Sequence, residues 1–424
     1  MATIAVIPGD GVGPEVIDEA LRVLQRVSEI EGLQFETVPY PFGAEHYLKT
    51  GELLPAGVLE EFKQMDAILL GAIGDPRVET GKLERAIIGG VRWTLDMYIN
   101  LRPIKLYAEY LCPLKDKKPE HIDMVFVREN TEDLYIGMGG HFKKGTPDEV
   151  AIQQMIMTRK GIERAVRYAF DLTRKRGKRK KLTLIDKVNA IGAMEIWTRT
   201  FEEVGRDYPD VERDHAFIDA ACMWMVKNPE WFDVAVTGNM MGDIITDLGA
   251  AISGGLGIAA SGNIHPGRVS MFEPIHGSAP KHAGKGVICP LAALSATQMM
   301  LDYLGHEKSS ARSWRSRRCC TGIGWERSGS RPFPAPSAGG PPPRCGTSSR
   351  RWRTCGASTG RSSPRGTTCL RGGRGAPTAA GRRSSAPGPA ESGKWCERGE
   401  LNPHGLPLWI LSPARLPVPP LSHG

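Results

Sequence analysis

Long apolar segments are missing from this 424-residue chain, because no window approaches the roughly 18 apolar residues that a membrane-spanning helix needs. The amino-terminal segment MATIAVIPGDG has no basic region, and its apolar stretch is too short for a signal peptide. Cysteine is scarce in residues 1–310, where only Cys112, Cys222 and Cys289 occur. Three widely spaced thiols make neither a disulfide framework nor a zinc knuckle. These absences predict a cytoplasmic protein without membrane contact.

Acidic residues and lysine are almost missing from the carboxyl-terminal part. Residues 311–424 contain 18 Arg, one Lys and four Glu but no Asp, whereas residues 1–310 contain 36 basic and 43 acidic side chains. The formal charge of +8 thus combines an acidic body with a strongly basic tail. Periodic patterning also ends near Lys308, so residues 309–424 are expected to be unstructured.

This tail has two interpretations. The favoured one is GC-rich DNA translated out of frame, because even disordered tails are usually rich in Lys and Glu. The alternative is a basic arm that neutralises nucleic-acid phosphates. A shift of frame near codon 308 that restores an amphipathic helical pattern would support the first interpretation, under which nucleic acid is not expected as a partner.

Residues 1–305 alternate short aliphatic segments with amphipathic ones, a pattern typical of a mostly parallel α/β fold with enough core for two lobes. Turn residues follow each predicted strand, and apolar residues recur at three- and four-residue spacing in each predicted helix. The predicted strands are 4–7, 67–70, 124–127, 182–185 and 234–237, and the predicted helices include 14–27, 161–175, 193–204 and 290–304.

Two aspartates follow the last of these strands. If the segment after Gly238 opens a helix, Asp243 and Asp247 lie one turn apart on one face, close enough to share a divalent cation. Hard carboxylate oxygens suit Mg²⁺ or Mn²⁺. A solvated helix face is the alternative, but the neighbouring apolar residues favour the metal site, because unpaired carboxylates would repel each other there.

Three arginines form a second group. Arg92 and Arg102 flank the segment WTLDMYINL, and Arg128 ends the strand at 124–127. The planar guanidinium group binds a carboxylate in bidentate fashion, and the ends of strands in α/β sheets are where ligands bind. Each arginine taken alone could equally form a surface ion pair. If all three converge, they indicate a substrate with at least two carboxylates.

Lys187 and Tyr135 also follow predicted strands, where a lysine could relay a proton and a tyrosine could donate one, although spacing alone assigns neither role. The turn at 9–15 lacks the full G-x-G-x-x-G register of a dinucleotide loop. A second turn at 276–284 offers backbone donors and imidazoles to an adenosine or a phosphate, with a purely structural loop as the alternative.

Six segments together carry a resemblance to a known family: IPGDGVGPE, RWTLDMYINLRP, VRENTEDLYIG, LIDKVNA, TGNMMGDIITDLGA and EPIHGSAPKHAGKG. From about residue 2 to residue 308 the chain resembles the β-decarboxylating dehydrogenases of 2-hydroxy acids, which act on 3-isopropylmalate, isocitrate, homoisocitrate or tartrate. The resemblance implies a two-lobed α/β subunit with a mixed, mostly parallel sheet, not a true Rossmann fold. It implies a cofactor lobe at 1–100 plus 253–308, a substrate and dimerisation lobe at 101–252, and an arm at 137–158 that clasps a partner subunit.

The resemblance also implies roles for the candidate residues in a homodimer with shared active sites. The three arginines match the groups that hold the substrate carboxylates, and Tyr135 matches the residue that protonates the enol. Mg²⁺ or Mn²⁺ would be held by Asp243 and Asp247 of one subunit, with Asp219 and Lys187 reaching in from the other. The residues implied to bind the cofactor are His276, Gly277, Ser278, Ala279, Lys281, His282 and Cys289.

The activity that follows from the resemblance is NAD(P)-dependent, metal-dependent oxidative decarboxylation of a 2-hydroxy dicarboxylic acid. Isocitrate-specific relatives carry Ser and Asn six and four residues before the first arginine, where this chain has Ala86 and Ile88. With Ile87, that wall is apolar; it would leave a third carboxylate unpaired and favour an isopropyl group. The predicted substrate is therefore 3-isopropylmalate, converted to 4-methyl-2-oxopentanoate in leucine biosynthesis.

Three alternatives stay open. The VRENTED segment is closer to the isocitrate and tartrate branches, which leaves tartrate, malate, isocitrate or homoisocitrate as substrates. NAD is the expected cofactor, but Lys281 and His282 stand where NAD-preferring relatives usually carry Asp, and a cation there accommodates the 2′-phosphate of NADP. Finally, the chain could be an inactive binding protein with a nucleic-acid-binding tail.

Overall fold

The computed structural model describes residues 1–307, and the expectations about the tail at 309–424 lie outside these residues. Its strands are β1 (Ala2–Gly9), β2 (Phe35–Pro39), β3 (Ala67–Ala72), β4 (Ile99–Lys105), β5 (Asp123–Glu129), β6 (Gly139–Phe142), β7 (Val150–Gln153), β8 (Lys181–Asp186), β9 (Glu212–Phe217), β10 (Val234–Thr237), β11 (Ala260–Ile264) and β12 (Ser270–Pro274). Ten of these strands form one mixed sheet in the order β2-β1-β3-β12-β11-β4-β5-β10-β8-β9, and β6 pairs with β7 in a separate hairpin.

Parallel pairing dominates both ends of this sheet, whereas β12, β11, β4 and β5 pair antiparallel in its middle. The expected mixed, mostly parallel α/β fold is therefore confirmed, and all five predicted strands are present. The five strands from β2 to β11 in this order come from residues 1–100 and 253–307, and the other five lie within 99–252. The division into two lobes along these ranges stays a prediction.

Helices cover both faces of the sheet. They are α1 (Gly13–Glu31), α2 (Ala44–Thr50), α3 (Ala56–Phe62), α4 (Lys82–Glu84), α5 (Gly90–Thr94), α6 (Arg159–Arg176), α7 (Glu195–Gly205), α8 (Ile218–Lys227), α9 (Asn239–Ser253) and α10 (Leu291–Tyr303). A π-helical turn, Arg85–Gly89, joins α4 to α5. The predicted helix 14–27 extends to Glu31, because Gly32 adopts the left-handed conformation (φ 66°) that ends it.

The core consists of three apolar clusters on this sheet. One lies between α1, α10 and the strands β1, β3 and β12, and a second lies on the opposite face under α2, α3 and α5. The third surrounds α6, α7 and the strands β5, β8 and β10. Every residue of β3 and of β10 is buried, as expected for parallel strands covered on both faces.

Two features lie outside this core. All eight residues of the hairpin strands β6 and β7 are exposed, although they include Phe142, Val150 and Ile152. This hairpin falls within the predicted arm at 137–158. None of the helices within residues 1–307 is long and apolar enough to cross a membrane.

Candidate active site

The carboxylate of Asp243 is the centre of the candidate site. Helix α9 begins directly after β10, and its first turns carry Asp243 and Asp247 on one face. Arg128 Nη1 donates to Asp243 Oδ1 at 2.5 Å, Arg102 Nη2 donates to the same oxygen at 3.1 Å, and Tyr135 Oη donates to Oδ2 at 3.0 Å. Asp247 Oδ1 lies 3.7 Å from Arg102 Nη1. The structure therefore brings together five of the residues singled out in the sequence.

Buried side chains hold the two arginines in fixed orientations. Arg102 lies on β4 and Arg128 on the neighbouring antiparallel strand β5, and both are almost fully buried. Asn100 Oδ1 accepts from Arg102 Nε at 2.7 Å, and Asn239 Oδ1 accepts from Arg128 Nε at 2.8 Å. Thr246 Oγ1 accepts from Arg102 Nη1 at 2.7 Å. Neighbours other than the carboxylates thus orient both guanidinium groups, which is a preorganised arrangement.

A glycine on α9 allows this helix to approach β5 closely. A Cβ atom at Gly242 would lie 2.6 Å from Arg128 Cγ, a distance that real Cβ atoms do not show. At the start of the same helix, Asp133 Oδ2 accepts from the backbone N–H of Met240 at 2.9 Å. The glycine and this cap together set the distance between the helix carboxylates and the strand arginines.

Arg92 on α5 pairs with a different carboxylate, that of Glu273. Its Nη2 donates to Glu273 Oε1 at 2.8 Å, and Asn263 Nδ2 donates to the same oxygen at 2.8 Å. Arg92 Nε is buried and has no hydrogen-bond partner within residues 1–307. A buried guanidinium donor without an acceptor fits an anionic ligand.

Sequence reasoning singled out none of the residues that support the arginines, among them Glu273 and Asn100. Both lie inside segments that carried the family resemblance, since Glu273 opens EPIHGSAP and Asn100 lies two residues before Arg102. Their contacts join residues 163 and 181 positions apart in the chain, from Asn100 to Asn263 and from Arg92 to Glu273. The position of Glu273 and Asn100 inside family motifs could therefore have identified them, whereas the periodicity of apolar residues gave no indication of their role.

Opposite charges shift the pKa values of the site in different directions. Burial alone would raise the pKa of Asp243, but the guanidinium groups of Arg128 and Arg102 outweigh it and lower that pKa. Burial, together with the charge of Asp243, raises the pKa of Asp247 despite Arg102. Burial lowers the pKa of Arg128, and the like charge of Arg102 lowers it further. The site thus favours the charged form of Asp243 and disfavours the charged forms of Asp247 and Arg128.

The formal charges of the site balance. Three guanidinium groups face three carboxylates, those of Asp243, Asp247 and Glu273. A divalent cation added beside the aspartates would give the site a net charge of +2. A substrate with two carboxylates would bring this net charge back to zero. Hard oxygen donors one helical turn apart and an unpaired Arg92 Nε therefore fit a cation bound together with a dianion.

Lys187 and Asp219 form a separate pair. Lys187 follows β8, Asp219 is in the first turn of α8, and Lys187 Nζ lies 2.8 Å from Asp219 Oδ1. In the described part of the chain, no group of three His, Cys, Asp or Glu side chains could hold a metal ion. Within one subunit Asp219 therefore does not join the pair on α9.

The predicted cofactor loop packs against the turn between β1 and α1. Val12 N donates to Ser278 O at 2.8 Å, and a Cβ atom at Gly11 would collide with that same carbonyl. Ser278 Oγ donates to Gly74 O at 2.5 Å, and His276 Nε2 is buried without a partner among residues 1–307. The other predicted members lie along this loop: exposed Gly277, Lys281 and Cys289, and partly buried Ala279 and His282.

The two isoleucines predicted to line the substrate pocket differ in their surroundings. The π-helical turn directs Ile87 into the apolar core, where it is fully buried. Ile88 is only partly buried and packs at the edge of the same cluster. Of the two, only Ile88 can therefore contribute to an open apolar wall.

Comparisons with known proteins identify the family of this chain. A family profile described as isocitrate/isopropylmalate dehydrogenase matches residues 3–315. The chain is 51% identical over 311 residues to the 3-isopropylmalate dehydrogenase of Thermobifida fusca, covering 73% of this chain and 88% of that protein. It is 52% identical over 313 residues to the 3-isopropylmalate dehydrogenase of Rhodococcus erythropolis, covering 73% of this chain and 90% of that protein.

Two solved structures are similar in fold. The crystal structure of isocitrate dehydrogenase from Methylococcus capsulatus gives a TM-score of 0.68 at 34% identity, covering 75% of this chain and 90% of that one. The apo crystal structure of a β-decarboxylating dehydrogenase from Thermococcus kodakarensis gives 0.62 at 35% identity, covering 76% and 89%. The chain therefore belongs to the isocitrate/isopropylmalate dehydrogenase family.

Proposed function

We propose that this protein catalyses the oxidative decarboxylation of 3-isopropylmalate to 4-methyl-2-oxopentanoate in the cytoplasm, as a step of leucine biosynthesis. The observation that carries the proposal is the convergence of Arg102, Arg128 and Tyr135 on the carboxylate of Asp243. The names of the relatives support the same substrate, since both bacterial relatives are 3-isopropylmalate dehydrogenases.

Charge and polarity support this choice of substrate. Three guanidinium groups suffice for two carboxylates, because each carboxylate accepts two parallel hydrogen bonds from one group. The partly buried side chain of Ile88 offers apolar contact to an isopropyl group but no donor to a third carboxylate. Isocitrate and homoisocitrate are therefore expected to be poorer substrates, and tartrate and malate would leave the apolar wall uncovered.

Asp243 and Asp247 would hold Mg²⁺ or Mn²⁺, with Asp219 of a second subunit completing the set. When bound, the cation lowers the pKa of the substrate hydroxyl and stabilises negative charge on the same oxygen after CO₂ is lost. The raised pKa of Asp247, caused by burial and by Asp243, fits a carboxylate that needs a cation beside it.

Two side chains would move protons. Lys187 of the second subunit would relay the proton of the substrate hydroxyl while hydride leaves C2 for the nicotinamide. Tyr135 would protonate C3 after decarboxylation. Burial and the charge of Asp243 raise the pKa of Tyr135, so its hydroxyl stays protonated and available as a donor at neutral pH.

A homodimer would supply the second subunit. Side chains on one face of the hairpin, including Phe142 (65% exposed) and Ile152 (58% exposed), are not covered by any other part of residues 1–307. Alternation along the strands places Val150 on this same face. Apolar residues that are both adjacent and exposed are typical of an interaction surface, which supports the predicted role of the arm at 137–158.

For the cofactor we propose NAD, with NADP as the alternative. The exposed ammonium group of Lys281 and the neighbouring His282 offer charge to a 2′-phosphate. Because no carboxylate follows Pro280 directly, this chain lacks the group that would repel the phosphate there.

The test is an assay of the purified full chain with Mg²⁺ or Mn²⁺ and each nicotinamide against 3-isopropylmalate, isocitrate, tartrate and malate. We expect turnover of 3-isopropylmalate to have the highest kcat/KM, and we expect a chelator to abolish it. Faster turnover of another acid would correct the substrate. No turnover of any acid, with salt-sensitive retention on DNA, would favour a binding protein instead.

A further inference from the structure

A fully buried carboxylate lies directly behind Lys187. Asp186 is the last residue of β8, and its Oδ1 accepts from the backbone N–H of Val188 at 3.1 Å. The same oxygen lies 3.0 Å from His215 Nε2, while Oδ2 has no hydrogen-bond partner within residues 1–307. Within residues 1–307, His215 is thus the only side chain that pairs with the Asp186 carboxylate.

The pair joins β8 and β9, the two strands that directly precede Lys187 and the helix of Asp219. His215 lies on β9, where it is opposite Leu184, and Asp186 is opposite Phe217. Two residues after Phe217, Asp219 forms its ion pair with Lys187. The His215 ring also packs edge-on against Phe217, with the ring centroids 5.3 Å apart. Asp186–His215 and Lys187–Asp219 are therefore consecutive links at the same end of the β8–β9 pair.

We propose that His215 is a positioning residue: by holding the carboxylate of Asp186, it fixes the end of β8 against β9 and so sets the direction in which Lys187 and Asp219 extend from the subunit. The inference rests on the proposed function, because Lys187 and Asp219 act there in the site of a second subunit. Residues that do not touch the substrate but support a functional side chain through hydrogen bonds and packing commonly determine how precisely that side chain is positioned.

The charges around His215 agree with this role. Asp186 faces it from β8, Asp214 from its own strand and Glu202 from α7. Lys181 pairs with Asp214 at 2.8 Å and Arg213 pairs with Glu202 at 2.7 Å, whereas no lysine or arginine within residues 1–307 pairs with Asp186. The hydrogen bond to Asp186 raises the pKa of His215, although burial opposes the shift. Loss of the imidazole would leave the buried Asp186 carboxylate with one backbone donor, that of Val188. An unsatisfied buried carboxylate is unfavourable, so we expect Asp186 and the end of β8 to shift toward water or another donor.

Variants of the full chain test the proposal in the assay with 3-isopropylmalate. His215→Leu should lower kcat on the order of tenfold to a hundredfold with little change in KM, because the arginines that would hold the substrate lie on α5, β4 and β5. His215→Gln, which keeps a donor near the position of Nε2, should recover most of this loss. The matched control is Arg199→Gln, which breaks the exposed 3.1 Å ion pair with Glu195 on α7 and should leave kcat unchanged.

A second measurement does not depend on activity. In the full chain with labelled histidines, NMR titration should give His215 a pKa above its ordinary value of 6.5, and Asp186→Asn should return it toward that value. An ordinary pKa in the wild type, or wild-type kcat in a folded His215→Leu variant, would overturn the inference alone. Absence of 3-isopropylmalate turnover in the wild type would overturn the proposed function and the inference with it.

Discussion

The substitution Asp243→Asn would separate the pairing of this carboxylate with arginines from its proposed role as a metal ligand. In the free protein, Asp243 pairs with Arg102 and Arg128, whose guanidinium groups are buried at hydrogen-bond distance. Breaking a fully buried ion pair costs about 3–5 kcal/mol, but the Asp243 side chain is 39% exposed and the asparagine amide still accepts one bond. We therefore expect the free energy of unfolding to fall by about 1–3 kcal/mol, which lowers Tm by several degrees.

The catalytic loss should be much larger than this loss of stability. An asparagine oxygen is a weak ligand for a divalent cation, and kcat should fall by on the order of 10²–10³ or more because stabilisation of developing charge is lost. Circular dichroism and differential scanning calorimetry report the fold and Tm, and initial rates across a series of Mg²⁺ concentrations report the activity. Excess Mg²⁺ should not restore the wild-type rate.

Asp210→Asn is the matched control for this variant. Asp210 also pairs with an arginine, Arg174, at 2.5 Å, and its side chain is 42% exposed, but the pair lies on the surface far from α9 in sequence. The control should leave turnover unchanged. Equal turnover by Asp243→Asn and the wild type, or full activity of the wild type in the presence of a chelator, would refute the assignment of the metal site.

Four further outcomes are expected. Tyr135→Phe should lower kcat about 10²-fold or more because the proton donor is removed, and Tm should fall only slightly because the hydrogen bond lost to Asp243 is exposed to solvent; initial rates and calorimetry check this. Ile152→Asp should raise the dimer dissociation constant at least about tenfold, because a charge replaces apolar surface on the arm; sedimentation equilibrium measures it. Lys281→Asp should lower the ratio of kcat/KM for NADP over NAD by about tenfold to a hundredfold through loss of a charge-assisted hydrogen bond. Burial alone would raise the pKa of Asp123, but Lys178 and two further cations outweigh it and lower that pKa. Its stabilising contribution is therefore complete above its unfolded value near 3.8 and lost as pH falls through the lower folded pKa, so urea unfolding curves of the wild type and of Asp123→Asn should converge in acid.

The buried parallel strands were predictable because their sequences are short and aliphatic. The segment 234–237 matches β10 residue for residue, and 67–70 lies within β3. Strand β9 was missed because its sequence ERDHAF is polar and its side chains are exposed or partly buried. Strands β11 and β12 were missed because ASGNI and SMFEP contain Gly, Asn or Pro, and their pairing with distant strands stabilises them instead.

Local spacing predicted part of the site for a similar reason. Asp243 and Asp247 share a face because a helix period of 3.6 residues brings them together, and this needs no tertiary information. The spacing did not reveal that Glu273 pairs with Arg92, or that Ile87 faces the core while Ile88 lies at its edge. These facts depend on strand order and on the π-helical turn at 85–89, which apolar patterning does not report.

The glycine at position 242 also limits how this protein can be made more heat-resistant. Replacing a glycine inside a helix by alanine commonly raises stability by about 1 kcal/mol, and position 242 lies within α9 with ordinary helix neighbours on both sides. Here the added methyl group would overlap the aliphatic stem of Arg128, at 2.6 Å from Cγ. A consensus or design procedure that favours helix formers would therefore strengthen the backbone and displace the guanidinium group at once. Thermostabilising libraries for this chain should keep Gly242 fixed.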